Sequence, residues 1–347
     1  MSLVMSNFSD RLIQWQKIYG RHGLPWQIKD PYARWISEVM LQQTQVVTVI
    51  DYYHRFMSRF PTVNDLAVAS EDEVMSYWAG LGYYTRARNL HKAAKIIVEN
   101  YQGIFPRTRQ EWEALPGIGQ STAAAVTAFS FGAKEAIMDG NVKRVLARNF
   151  AIDKPITTQV EKEFWALAQS LLPEKDIESY TQGLMDLGAT VCTRTPQCLL
   201  CPFEDTCLAH MKGIEKNLPV PKPKRQRPEK HRTFFLYWHE SSVQLVKRTG
   251  KGVWQGLHSL PEVDGSMNDE QVEDYLSCQT LRVRNWLRLE TIVHDFSHYR
   301  LYIEPIAVHL REQSVLNGDS MWVDATKVST VGMPAPVETL VKKFLNI

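Results

Sequence analysis

The chain lacks any run long and apolar enough to read as a membrane span. Its longest uncharged stretch, 114–133, approaches span length but is broken by Pro116, Gly117, Gly119, Gln120 and Ser121. It also lacks a basic start followed by an apolar run, the mark of a secretory signal, so a cytoplasmic protein without a membrane partner is expected. Cysteine is scarce, five in 347 residues, and without a secretory signal this argues against a disulfide framework. Neither charge is in excess: 40 Lys and Arg against 38 Asp and Glu leave a net +2. With 44% apolar and 22% charged residues, the composition excludes disordered, fibrous and collagenous chains. At about 100–200 residues per domain, this length fits two domains.

The near-neutral balance hides a local surplus. Residues 1–215 carry a net −1, residues 216–232 a net +6 and residues 233–347 a net −3. Within the middle segment, proline recurs from Pro219 to Pro228 among Lys222, Lys224, Arg225 and Arg227, disfavouring helix and central strand alike. It reads as a semi-rigid basic linker, either a solvated tether or a strip that lies along nucleic-acid phosphates.

The two flanks differ in texture. Before the linker, apolar positions recur at helical spacing, as in Phe8, Leu12, Trp15 and Tyr19, or Leu90, Ala94, Ile97 and Val98. Helix starts are signalled by Asp30-Pro31 and by the capping-box patterns Ser70/Glu73, Thr108/Glu111 and Thr158/Glu161. An all-α domain of about ten short helices is expected. After the linker, 234–238, 242–246 and 299–303 read as alternating strands, interrupted by a helix near 269–277, which describes an α+β domain.

Four of the five cysteines lie together: Cys192, Cys198, Cys201 and Cys207, spaced C-x5-C-x2-C-x5-C. Such a cluster is a metal site, and four thiolates suit either tetrahedral zinc or a [4Fe–4S] cluster. One close pair with two outliers favours the cluster, whether it serves chemistry or only staples the end of the helical domain. Cys278 stands apart and reads as an inert small hydrophobe.

The segment 115–126 places Pro116-Gly117-Ile118-Gly119 between a short helix and an Ala-rich one. Glycines there permit positive φ and close backbone approach, so several N–H groups can converge on a phosphate at the helix N-terminus. The arrangement resembles the helix-hairpin-helix DNA-backbone motif. Two carboxylates are candidates for chemistry. Glu38 lies opposite the apolar arc of its helix, which taken alone describes a solvated glutamate. Asp139, where an apolar run meets a new helix, taken alone is a helix cap.

These features, with Leu24-Pro25-Trp26, Glu38 to Val46, Gly80 to Tyr84 and Met138 to Val145, occur in one order that resembles the adenine DNA glycosylase (MutY) branch of the helix-hairpin-helix glycosylases. Beyond the linker, Gly252 to Leu257 and His294 to His298 resemble that family's Nudix-like recognition domain. The likeness spans nearly the whole chain. It implies a helix-hairpin-helix glycosylase domain with an Fe–S cluster loop over 1–215, the basic linker 216–232 and a Nudix-like domain over 233–347. The activity it implies is monofunctional excision of adenine mispaired with 8-oxoguanine or guanine in double-stranded DNA, by a monomer carrying a [4Fe–4S] cluster on Cys192, Cys198, Cys201 and Cys207.

The resemblance also implies roles. Glu38 is the general acid that protonates adenine N7, and Asp139 the carboxylate that stabilises the oxocarbenium-like sugar, with Asn141 and Ser121 beside them. Leu24, Trp26, Gln43, Tyr83, Gly117, Gly119, Lys143 and Gln182 would contact DNA, Gln43 and Tyr83 near the oxidised guanine and Gln182 at the adenine edge. Phe296, Ser297 and His298 would read the opposite base. Ser121 stands where the related bifunctional enzymes carry a nucleophilic lysine, and a hydroxyl cannot form the Schiff base of a lyase. The second domain lacks the glutamate box of a Nudix pyrophosphatase. The first cysteine gap is one residue shorter than the family's usual six. An endonuclease III-like lyase and a non-catalytic Fe–S nucleic-acid binder are the competing readings.

Overall fold

The computed structural model describes residues 2–221, 227–250, 252–296, 298–314 and 320–347. Internal contacts divide the chain into two compact units, Met1–Tyr77 with Arg86–Lys224, and Trp78–Thr85 with Arg225–Ile347. The amino-terminal portion is helical: α1 (Ser2–Tyr19), α2 (Pro31–Leu41), α3 (Val46–Arg59), α4 (Val63–Val68), α5 (Glu71–Trp78), α6 (Thr85–Tyr101), α7 (Arg109–Glu113), α8 (Gln120–Phe131), α9 (Gly140–Asn149), α10 (Thr158–Ser170), α11 (Ile177–Thr190) and α12 (Leu208–Met211). No described helix is long and apolar enough to cross a membrane.

Side-chain caps set where these helices begin. Asp30 accepts from the Tyr32 N–H with Pro31 in the first turn of α2, and Thr108 and Glu111 form a reciprocal capping box on α7. Ser70 accepts from Glu73 N at 3.2 Å ahead of α5. The α10 cap is Thr157 and not Thr158, because the Thr157 side chain receives the Val160 N–H. A further box, Thr62 with Asp65, opens α4; an aspartate in place of glutamate concealed it in the sequence. Phe8, Leu12 and Trp15 bury their stripe, whereas Tyr19, at the frayed end of α1, is exposed. The core they join includes Phe129, Val145, Phe164 and Leu184, and Cys192, Cys201 and Cys207 pack at its edge.

The second unit is built on a mixed eight-stranded sheet of β1 (Glu229–His239), β2 (Ser242–Lys247), β3 (His258–Ser259), β4 (Glu262–Asp264), β5 (Val283–Arg288), β6 (Ile292–Asp295), β7 (Arg300–Leu310) and β8 (Ser320–Asp324). Strands β1 and β7 are parallel neighbours, and the other pairings are antiparallel. Phe234 and Leu236 enter one core with Val337, Leu340 and Val341 of α14 (Ala335–Leu345). Phe235 and Tyr237 enter another with Val272 and Leu276 of α13 (Asp269–Ser277). Both faces of β1 are therefore covered, which is why 234–238 reads as a continuous apolar run and not as true alternation. Strand β1 begins at Glu229, so the stretch expected as linker to 232 ends earlier, in pairing with β7. Residues 222–226 of that linker lie outside the described residues. Cys278 is exposed at the C-cap of α13, not buried as a small hydrophobe.

Candidate active site

Helix α2 packs against both α3 and α8 and is buried on nearly every side. Glu38, facing away from the helix's main apolar arc, thus meets protein where the sequence suggested solvent. It is half-buried. That enclosure pushes its carboxyl up to about 7; the nearby Asp139 charge adds to the rise and Arg34 works against it. A carboxyl poised there can hold a proton at neutral pH and give it away.

Asp139 is the N-cap of α9, its Oδ1 accepting from Val142 N at 2.7 Å. The loop that leads to it is tied to α8, because Ser121 Oγ accepts from Met138 N at 3.0 Å. Asn141 is held two residues further on: its Oδ1 receives Arg144 Nη2 at 2.7 Å, and Arg144 also donates to the carbonyls of Gly188 and Cys192, each at 2.7 Å. A Cβ at Gly188 would stand 2.6 Å from Asn141 Cβ, so α11 approaches α9 this closely only through a glycine. The Asp139 charge thus acts on Glu38, and Ser121 and Asn141 anchor the segment around Asp139. Lys143 pairs with Glu161 on α10.

A cleft lies beside α2, lined by Leu24, Gln27, Arg34, Glu178 and Gln182 among others. The loop that forms one wall is fixed by Gln27, which accepts from Leu24 N and donates to the Arg21 carbonyl. Gln182 Nε2 donates to Asp186 Oδ1 at 2.8 Å. Asp186 is fully buried and also accepts from the Arg21 backbone N–H and guanidinium. Leu24 and Gln182, chosen from the sequence, therefore share this cleft. Trp26 does not: it is 3% exposed and packs edge-on against Tyr53, so it shapes the core and has almost no surface for DNA. Sequence reasoning missed Arg34, Asp186 and Arg144, since buried charges give no signal in an apolar periodicity.

Gln43 and Tyr83 share an unusual backbone. Each is a non-glycine residue in the left-handed region, with φ of 60° and 50°, and each is exposed. Such conformations cost of order 1–3 kcal/mol and cluster at ligand-contacting sites. The Gln43 turn is clamped by Arg86, whose guanidinium donates to the carbonyls of Val39, Met40 and Gln42 and to the Thr44 hydroxyl. In the hairpin, Gly117 is required twice over, by its φ of 77° and because a Cβ would lie 2.6 Å from Asn89 Cβ. Gly119 is different: it is extended, exposed and the N-cap of α8, with no side-chain cap bond.

The four cysteines are all free and half-buried, and they line one small cavity with Arg148, His210 and Glu215. Burial pushes the Cys201 thiol up to about 12 and raises those of Cys198 and Cys207, with the neighbouring cysteines adding to the effect. Four thiols that face one small cavity suit a cationic centre that would draw their protons off. Glu215 Oε2 is buried there without a hydrogen-bond partner. Ligand atoms of Cys198, His210 and Glu215 lie within 4.8 Å of one another, donors that cysteine spacing did not suggest. Arg148 braces the loop through the Cys192 sulfur and the carbonyls of Thr193, Arg194 and Leu218.

In the second unit, β6 and β7 meet at a tip closed by Phe296 N donating to the Tyr299 carbonyl at 2.9 Å. Phe296 is half-buried against Trp254, His294 and Tyr299, and His298 is exposed beside Tyr299. Ser297 lies outside the described residues.

Comparison with known proteins follows the same division. A family model described as HhH-GPD superfamily base excision DNA repair protein matches residues 36–170, and one for the NUDIX domain matches 233–343. An adenine DNA glycosylase of Buchnera aphidicola subsp. Baizongia pistaciae is 36% identical over 342 residues, covering 97% of this chain and 96% of that protein. The human adenine DNA glycosylase is 43% identical over 407 residues, covering 98% of this chain and 73% of its own length. Among solved structures, a thermostable thymine-DNA glycosylase aligns with a TM-score of 0.56 at 29% identity, over 60% of this chain and 97% of that one. An endonuclease III in a non-covalent DNA complex aligns at 0.53 and 22% identity, over 62% and 99%, which speaks to the fold alone.

Proposed function

This chain belongs to the adenine DNA glycosylases of base excision repair, and from that premise we propose that it removes adenine paired with 8-oxoguanine or guanine, using Glu38 as acid and Asp139 as carboxylate. The observation that carries the reading is the carboxyl pair: Glu38 held near 7 by burial, beside an Asp139 fixed at a helix cap. Adenine is a poor anionic leaving group, and a base inside the stack is out of reach. The base must first be flipped out, at a few kcal/mol. Glu38 then gives its proton to N7, the N-glycosidic bond breaks, and the adenine leaves neutral. The positive charge that develops on the sugar is met by the Asp139 carboxylate, and water completes the hydrolysis at C1′.

The cleft supports the same reading. Leu24 and Gln182 line it, and Gln182 is oriented by the buried Asp186. Gln43 and Tyr83 are the side chains that would enter the duplex, Gly117 and Gly119 with the α8 N-terminus and Lys143 its phosphate contacts. Ser121 has no amine with which to form a Schiff base, so the enzyme releases the base without cutting the strand. Cys192, Cys198, Cys201 and Cys207 would hold a [4Fe–4S] cluster. Bound there, the cluster supplies structure, ordering the loop that carries Arg194 for phosphate contact. The hairpin tip at Phe296, Ser297 and His298 would judge the opposite base. The protein would act as a monomer on double-stranded DNA.

Incubation with a duplex carrying adenine opposite 8-oxoguanine, with and without alkali, tests the reaction class. Strand breaks that require alkali support a monofunctional glycosylase; breaks without alkali would point to a lyase, and none at all to a binding protein.

A further inference from the structure

Arg34 sits where a charge is costly. It is 1% exposed, on α2, one helical turn before Glu38, which puts the two side chains on neighbouring positions of one helix face. Its Nε donates to the Ile28 carbonyl at 2.9 Å and its Nη2 to Glu178 Oε1 at 3.1 Å. The guanidinium also stacks over the Phe129 ring at 4.3 Å. Three separate elements, the 20–30 loop, α11 and α8, therefore converge on one buried cation. Glu178 stands one turn before Gln182 on α11, and all three residues border the same cleft as Leu24 and Gln27.

A leucine or methionine would fill this space without desolvating a charge, and isolated buried cations are destabilising unless paired. Glu178 is 42% exposed in its side chain, so that ion pair alone is weak compensation. We propose that Arg34 is a positioning residue for base excision: it locks the cleft walls together and sets the electrostatic setting of the Glu38 carboxyl from one turn away.

The charges acting on Glu38 are few. Arg34 on its own helix opposes the rise caused by burial, and Asp139 from the α9 cap reinforces it. Burial lowers the Arg34 guanidinium, and the carboxylates of Glu178 from α11 and Glu38 support its charge. Removing the Arg34 charge must therefore leave Glu38 protonated to higher pH. Neutralising Glu178 must do the reverse, because it takes away the anion that shares Arg34.

The inference rests on the reading of Glu38 as the acid, but its test need not. Glutamate labelled with 13C at the carboxyl gives the Glu38 titration by NMR, assigned by the signal lost in Glu38→Gln. In Arg34→Met the Glu38 midpoint rises by about one pH unit. In Arg34→Lys, which keeps the charge, it stays near that of the parent while single-turnover excision slows through loss of the guanidinium's bonds. In Glu178→Gln the midpoint falls. The alkaline limb of the excision rate moves with the midpoint, and DNA affinity changes little. An unmoved Glu38 midpoint in Arg34→Met overturns the proposal; should that variant not fold, an unmoved midpoint in Glu178→Gln does so. Normal excision by Glu38→Gln would instead refute the acid role, leaving the titration to decide on Arg34.

Discussion

Ser121 Oγ accepts the Met138 backbone N–H at 3.0 Å, and through that bond the first turn of α8 fixes the segment that delivers Asp139. Asp139 in turn caps α9 through Val142 N. The cap is its structural job, and the proposed reaction gives it a second one toward the sugar.

The two jobs separate in Asp139→Asn. Asparagine caps helices about as well as aspartate, so folding stability should change by less than about 1 kcal/mol. It has no charge to set against an oxocarbenium-like sugar, so single-turnover excision should fall by at least about a hundredfold. Thermal melting and adenine release on one preparation check both halves. A variant that excises normally would leave Asp139 with the cap alone.

Glu38 links stability to pH. Its carboxyl titrates near 7 in the fold against 4.5 in the open chain, so the folded state holds the proton longer. Stability therefore falls as pH rises from 4.5 to 7, and above 7 the buried charge costs up to about 3 kcal/mol. Glu38→Gln abolishes that cost. The variant should be more stable than the parent at pH 8 and equal to it at pH 4, as read by urea unfolding. Equal stabilities at both pH values would show that Glu38 is solvated after all.

Much of this was legible in the sequence, and the failures have physical causes. The helix at 269–277, the turn at Gly117 and the helix cap at Asp139 are legible because caps, turns and periodicity are local. What a helical wheel could not show is that α2 is enclosed on its second side, since that depends on α3 and α8 arriving from elsewhere. Trp26 lies within a DNA-contacting motif by sequence, yet it is buried and packs edge-on against Tyr53. Arg34, Asp186 and Arg148 were invisible for the opposite reason: a charged residue reads as surface until its partners, such as Glu178, Arg21 and Leu218, are known.

Arg148 makes the cysteine loop sensitive to a residue outside it. It donates to the Cys192 sulfur, to the loop carbonyls of Thr193 and Arg194, and to the Leu218 carbonyl beyond the loop. Arg148→Met should leave those carbonyls unsatisfied, lower stability by about 2–4 kcal/mol and reduce retained iron. Iron analysis and visible absorption of anaerobically purified protein, expected to hold close to four irons in the parent, make the comparison. Full iron retention by the variant, or one zinc and no iron in the parent, would contradict this account of the loop.

8-Oxoguanine carries a proton on N7 where guanine has only an acceptor. On the proposed reading of the opposite base, the Ser297 hydroxyl accepts that proton with His298 in support. The Ser297→Ala, His298→Ala double variant should lose about ten- to a hundredfold of its preference for adenine opposite 8-oxoguanine over adenine opposite guanine. Excision once bound should change little. Retention of the full preference, as a ratio of excision efficiencies on the two duplexes, would remove this tip from the recognition mechanism.

The most direct test is the amount of free adenine released in a single turnover from duplexes that differ only in the base opposite. The parent should release adenine opposite 8-oxoguanine and almost none opposite thymine. Glu38→Gln, bound to the same duplex, should be slower by at least about 10²–10⁴-fold. Equal release opposite thymine and 8-oxoguanine, or near-parental release by Glu38→Gln, would contradict the account at its centre.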